Sequence, residues 1–406
     1  MSGNARRTAR VSLAATLAIQ IYTAMAASAP AVLAPVLATD LGITPTWIGV
    51  FIGLLYTGAM IGSLASGGFI ARYGAIRVSQ ACVLLCAAGT ATVALLPAAA
   101  VPLMILAAFA TGVGYGPITP ASSAVLVRTT PAAQMALTFS IKQTGVPVGI
   151  ALGGALLPAL ALALGWRGAL LVVAAAGVLV ALAAQPIRAA LDAHRERAQP
   201  VSLRSIVAPL RMVMQTKVLR DLSLVGLGFA AVQVCLTTYL VVFLHEALEW
   251  TLVASGLALT CATLGAVVGR IAWGLVADRL LPPVRTLALI GSLASGCGLV
   301  LAAATTAWPA WLLLPLATLY GGMAIGWNGV QLAELARRSP PGMAGAVTGA
   351  SGFVTFGGVV AGPTLFAALA GAFSSYRVGF LMAAAISGVV AVILLVDSRG
   401  GTTEKK

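Results

Sequence analysis

The chain has 406 residues, 60% of them hydrophobic and only 8% charged, with a net charge of +14. At a mean hydropathy of +1.02, a soluble fold could not hide that much apolar surface, so a polytopic membrane protein is expected. The basic residues sit between apolar runs, which points to membrane orientation rather than to nucleic acid.

The N-terminus carries Arg6, Arg7 and Arg10 and then an apolar run from Val11 to about Ala38. That run is longer than the core of a signal peptide, so it is read as a retained first spanning helix. Further spans are expected at about 46–71, 77–97, 101–127, 133–162 and 167–187. After a polar interval come 219–244, 251–277, 284–306, 309–336, 343–371 and 376–397, twelve in all. Several separators form turns, among them Gly42 to Pro45, Pro97 to Pro102 and Pro282-Pro283.

Residues 188–218 form a basic, partly helical linker whose charged face suits anionic headgroups. It divides the chain into a first bundle (1–187) and a second (219–406), each of six spans. Of the 24 Lys and Arg, only Arg167 and Arg377 then fall outside and only Lys142 and Arg270 fall within the membrane. The remainder place both termini in the cytoplasm. A multi-pass protein of a bacterial inner membrane is expected. Cys82, Cys86, Cys235, Cys261 and Cys297 all lie in apolar segments without a C-x-x-C pair, so no metal and no cofactor is expected.

The halves repeat. At an offset of 207, Gly49, Gly58, Gly62, Gly67 and Arg72 match Gly256, Gly265, Gly269, Gly274 and Arg279. At an offset of 209, Gly112, Arg128, Pro131, Gly149 and Gly153 match Gly321, Arg337, Pro340, Gly358 and Gly362. A nearly constant offset over two long blocks indicates parallel repeats about the membrane normal.

With these motifs the chain resembles the major facilitator superfamily over essentially its whole length. The family's G-x-x-x-D-R-x-G loop is matched by Gly67 to Gly74, with Arg72 kept and Ala71 in place of the acid. Its second copy, Gly274 to Arg279, keeps Asp278 and Arg279 and loses the last glycine. The resemblance implies a conformational latch at Arg72, Asp278 and Arg279, with Glu334 beside Arg337 and Arg338 as a partner cluster. Span eleven carries the glycine pattern Gly349, Gly358, Gly362-Pro363, which permits close helix approach. The family's span-four arginine is absent. The implied fold is all-α, twelve transmembrane helices in two pseudo-symmetric six-helix bundles.

Polar residues near mid-depth mark the central spans. Span one has Gln20 and Tyr22, span four Thr119, span seven Gln233 and Tyr239, and span ten Asn328 and Gln331. At offset 209, Thr119 matches Asn328 and Ser122 matches Gln331, an i, i+3 stripe on one helix face in each half. Arg270 lies eight residues before Asp278, about 12 Å along its helix, and Lys142 is at similar depth. A buried cation is costly and usually faces a cavity or a partner; two at one depth call for an anion. Gly269-Arg270-Ile-Ala-Trp273-Gly274 resembles span eight of the monocarboxylate porter and oxalate–formate antiporter group, which implies that Arg270 binds a substrate carboxylate.

The expected function is secondary transport of a small organic anion, a mono- or dicarboxylate, by alternating access, with Lys142 as second charge. Protons or a counter-anion are the candidate coupling partners; the bilayer is the other partner. A drug or amphiphile exporter of the same superfamily is the alternative. No nucleotide motif and no catalytic His/Asp/Glu or Ser/His group is present, so an enzyme is not expected.

Overall fold

The structure, a computed structural model, describes residues 3–42, 46–97, 101–196 and 201–400. The expected turns within 43–45 and 98–100 lie outside the described residues. All regular structure among the described residues is helical. That is what hydrocarbon demands, because a helix satisfies its backbone groups internally.

Helix α1 (Gly3–Val32) is followed by the short α2 (Ala34–Leu41), then α3 (Thr46–Tyr73) and α4 (Ala75–Leu95). The expected fourth span is two helices, α5 (Val101–Tyr115) and α6 (Ile118–Thr129), broken at Gly116-Pro117. Then come α7 (Met135–Gln143) and α8 (Gly145–Ala183). Within α8, Gly165 stands at φ 71°, ψ 163°, a left-handed turn that glycine tolerates best. The 52-residue apolar stretch Ala132–Ala183 is thus two crossings, since one crossing takes about 20 residues. With the ten other apolar stretches of spanning length, the described residues supply twelve crossings.

The linker holds α9 (Gln185–Leu191) and the amphipathic α10 (Leu203–Gln215), which starts on a Ser202–Ser205 capping box. The second half comprises α11 (Lys217–Val242), α12 (Leu252–Arg279), α13 (Pro283–Ala302), α14 (Ala310–Ala324), α15 (Asn328–Arg338), α16 (Ala344–Ala372) and α17 (Tyr376–Gly400). The repeat is visible in these bounds. Helices α5 and α14 start 209 residues apart, at Val101 and Ala310, and end 209 apart, at Tyr115 and Ala324. The break between α14 and α15 thus reproduces the one between α5 and α6, although no proline marks it.

Two compact units are separable. The first comprises Met1–Thr130, Lys142–Leu219 and Leu335–Phe353. The second comprises Pro131–Ile141, Arg220–Glu334 and Val354–Lys406. The first packs around Leu55, Val83, Ala108 and Leu170, and the second around Leu236, Phe243, Tyr320 and Phe380.

The matched glycines make matched crossings. In the first unit a Cβ on Gly112 would stand 1.9 Å from Leu55 O, and one on Gly58 would stand 2.3 Å from Phe109 O. In the second, a Cβ on Gly321 would stand 2.0 Å from Ala262 O, and one on Gly265 would stand 2.0 Å from Thr318 O. Only glycine lets α3 approach α5, and α12 approach α14, so closely.

Candidate functional site

In the first unit, α1 and α8 touch through Gly149, where a Cβ would stand 2.2 Å from Ile21 O. That crossing sets the end of α7 beside Gln20. Lys142 is 1% exposed. Its Nζ donates to Gln20 Oε1 at 2.6 Å, Gln143 Oε1 at 2.9 Å and Thr119 Oγ1 at 3.3 Å. Thr119 in turn donates to Gln20 Oε1 at 3.4 Å. These neutral oxygens match the three protons of an ammonium without cancelling its charge. Three expected site residues, Gln20, Thr119 and Lys142, therefore form one cluster. Gln143 joins it unforeseen, although adjacency to Lys142 at the helix end was a signal.

Tyr22 does not join. It lies two positions from Gln20, on another face of α1, packs in the hydrophobic core and turns its hydroxyl toward the Gly177 position. Among the described residues that hydroxyl has no hydrogen-bond partner.

In the second unit the break after α14 leaves carbonyls outside the helical ladder, and α12 takes them. Trp273 Nε1 donates to Gly322 O at 3.1 Å and Arg270 Nε donates to Ile325 O at 3.2 Å. Arg270 is 2% exposed. Asn328 Nδ2 donates to Gln233 Oε1 at 3.1 Å and to Ile325 O at 3.4 Å. Arg270 and Asn328 thus share one backbone carbonyl, and Gln233 is joined through Asn328. Trp273 and Ile325 were missed as members; Trp273 lies within the motif, but the carbonyl becomes available only through the unforeseen break.

Gln331 and Tyr239 stand apart. Gln331 is buried with Nε2 donating to Leu222 O at 3.1 Å. Tyr239 donates to Pro363 O at 3.0 Å and stacks on Phe366, with ring centroids 4.1 Å apart. Both contacts are ones a structural residue makes.

The expected latch residues lie on α3 (Arg72), α12 (Asp278 and Arg279) and α15 (Glu334). Both oxygens of Asp278 accept backbone N–H bonds at the start of α7, from Ala136 at 3.0 Å and Leu137 at 2.8 Å. The carboxylate caps a helix N-terminus, where orphan amides and the helix dipole favour negative charge. Arg279 is exposed and Glu334 is buried. Arg72 lies over the Tyr73 ring, 5.4 Å from its centroid.

Comparisons with known proteins agree with this architecture. No curated protein sequence gives a significant match. Among solved structures, the human organic anion transporter MFSD10 (TETRAN) superposes with a TM-score of 0.76 at 17% identity, covering 97% of this chain and 100% of that one. The E. coli fucose:proton symporter FucP superposes with a TM-score of 0.75 at 15% identity, covering 96% and 99%. At these identities the likeness is one of fold. The profile of the Major Facilitator Superfamily matches residues 16–363. With twelve apolar crossings and a repeat carried down to its glycine contacts, the chain belongs to the Major Facilitator Superfamily, as a multi-pass secondary transporter.

Proposed function

We propose that the protein moves a small organic anion, a mono- or dicarboxylate, by alternating access, with both termini on the cytoplasmic side of a bacterial inner membrane. The observation that supports this reading is Arg270. It is a guanidinium 2% exposed in an apolar span, with its Nε tied to Ile325 O. That tie sets the guanidinium plane, and a planar fork suits a carboxylate better than a point charge does. Asn328 and Gln233 supply neutral hydrogen-bonding groups beside it. In the first unit, Lys142, with Gln20 and Thr119, supplies a positive charge of its own. Coupling follows either exchange with a counter-anion or symport with protons. Asp278, with Arg72, Arg279 and Glu334, acts as the conformational latch.

Uptake of labelled carboxylates into proteoliposomes tests the assignment. Arg270→Lys keeps the charge and loses the fork, so apparent affinity should fall about 10- to 100-fold, the size of a charged hydrogen bond. Wild-type carboxylate flux in a folded Arg270→Ala protein would overturn it. Uptake stimulated by internal anion separates exchange from symport, which responds instead to an imposed pH gradient.

A further inference from the structure

A pocket of about 380 Å³ in the first unit is lined by Arg72, Tyr73, Arg77, Arg188 and Arg195. Four of its five walls are guanidiniums. We infer that this pocket is a binding site for the phosphate of an anionic phospholipid headgroup.

The pocket is built by locked backbone. Asp192, 1% exposed, accepts from the amides of Ile76 at 2.9 Å and Arg77 at 3.0 Å. Its own amide donates to Arg188 O, and its carbonyl accepts from the amide of Arg195. The amide of Glu196 donates to Ala71 O. The end of α3, the start of α4, and α9 with the segment after it are thereby tied together, bringing Arg72, Arg77, Arg188 and Arg195 into the same space. Gly74, at φ +92°, makes room for this knot, because a Cβ there would stand 2.3 Å from the Asp192 carboxyl carbon.

The charge is in excess. Asp192 spends both oxygens on backbone amides, and Glu196 is exposed. Even with Arg72 set aside, two acids beside Arg77, Arg188 and Arg195 leave positive charge in excess. Among the described residues, the side chains of Arg77, Arg188 and Arg195 make no hydrogen bond or ion pair with a protein acceptor. Guanidiniums in that state suit phosphate, whose oxygens accept bidentate pairs.

The surroundings favour a lipid over a soluble phosphate. Arg72 is at the end of the apolar span Gly49–Tyr73, and Arg77 is at the start of the span Ala75–Leu95. Below Arg77 on α4, Ala81, Leu84 and Ala88 are exposed at helical spacing, a smooth apolar stripe for an acyl chain. On α3, exposed Phe69 and Tyr73 stack with ring centroids 6.2 Å apart. A headgroup at the arginines would place its tails directly against these side chains.

The full-length protein is purified in detergent and offered equal amounts of phosphatidylglycerol and phosphatidylcholine, and retained lipid is read by native mass spectrometry. Preferential retention of phosphatidylglycerol is expected; equal retention of the two would overturn the site without need of a variant. The triple variant Arg77→Gln/Arg188→Gln/Arg195→Gln should bind phosphatidylglycerol about 100-fold more weakly, from about a factor of five per arginine near an anionic lipid. Arg285→Gln, at an exposed position of α13 outside both the pocket and the linker, should bind as wild type does. Equal losses in both variants, or none in the triple, would reduce the effect to general surface charge and overturn the proposal. Displacement of the lipid by sn-glycerol 3-phosphate or inorganic phosphate at similar concentration would overturn the lipid source. This outcome is independent of carboxylate flux.

Discussion

Lys142 Nζ and Gln20 Oε1 are 2.6 Å apart in a site from which solvent is nearly absent. The bond joins the end of α7 to the middle of α1, and its acceptor is a neutral amide. A carboxylate at the same position would neutralise the lysine permanently. A glutamine holds it in place without adding a charge of its own.

Gln20→Glu separates a binding role for Lys142 from a packing role. The substitution nearly preserves shape and sets a carboxylate against the ammonium. Thermal stability should hold, while carboxylate uptake in proteoliposomes should fall at least about tenfold, because the internal anion competes with the substrate. Unchanged uptake would make Lys142 a structural residue.

Gly321→Ala should destabilise the second unit. Its Cβ would stand 2.0 Å from Ala262 O, so α12 and α14 must separate, at about 1–3 kcal/mol for overpacking. Gly296→Ala on α13 meets nothing within 4 Å and should be neutral or slightly stabilising. Thermal unfolding in detergent compares the two, and equal melting temperatures would refute the close-crossing account.

Most of the fold was legible because lipid imposes long apolar runs and glycine marks each close crossing. The paired contacts of Gly112 and Gly321 are those the 209-residue offset anticipates. Depth paired Lys142 with Arg270, and its bonds to Gln20 and Thr119 were not anticipated, because they depend on how α7 lies against α1 and α6. Tyr22 misled because polarity was counted without helical phase. The bond from Arg270 to Ile325 and those from Asp278 to Ala136 and Leu137 escaped for a common reason. Their partners are backbone groups, exposed by a helix break or a helix start, and a backbone group has no letter in the sequence.

Asp40 links pH to stability at the opposite kind of site, an exposed loop-end pair. The Arg167 guanidinium and the Trp166 indole N–H both donate to its Oδ2, and they hold its carboxyl below the ordinary 3.8. A lowered folded-state value stabilises the fold above the ordinary carboxylate range, and the gain is lost as pH falls through that lowered value. The melting-temperature gap between wild type and Asp40→Asn should therefore be constant above about pH 5 and close in more acidic solution. An Arg167→Gln background should remove most of that pH dependence; a gap that widens on acidification would contradict the assignment.

Asp278→Asn probes the latch. The carboxylate of Asp278 caps α7 from the end of α12, with one oxygen on each of two amides. Asparagine keeps one acceptor and loses the charge that the helix dipole favours, a change of about 1 kcal/mol. In a transporter whose conformations are near balance, that shift is about fivefold in their ratio. Single cysteines placed at either membrane face should accordingly change in labelling by opposite amounts, while substrate affinity measured in the binding-competent state stays within about twofold. Asp278→Glu restores the charge and should recover part of the wild-type ratio, although its longer arm fits the two amides less well. If labelling at both faces is the same in wild type and Asp278→Asn, the capping bond stabilises α7 alone and does not bias the transport cycle.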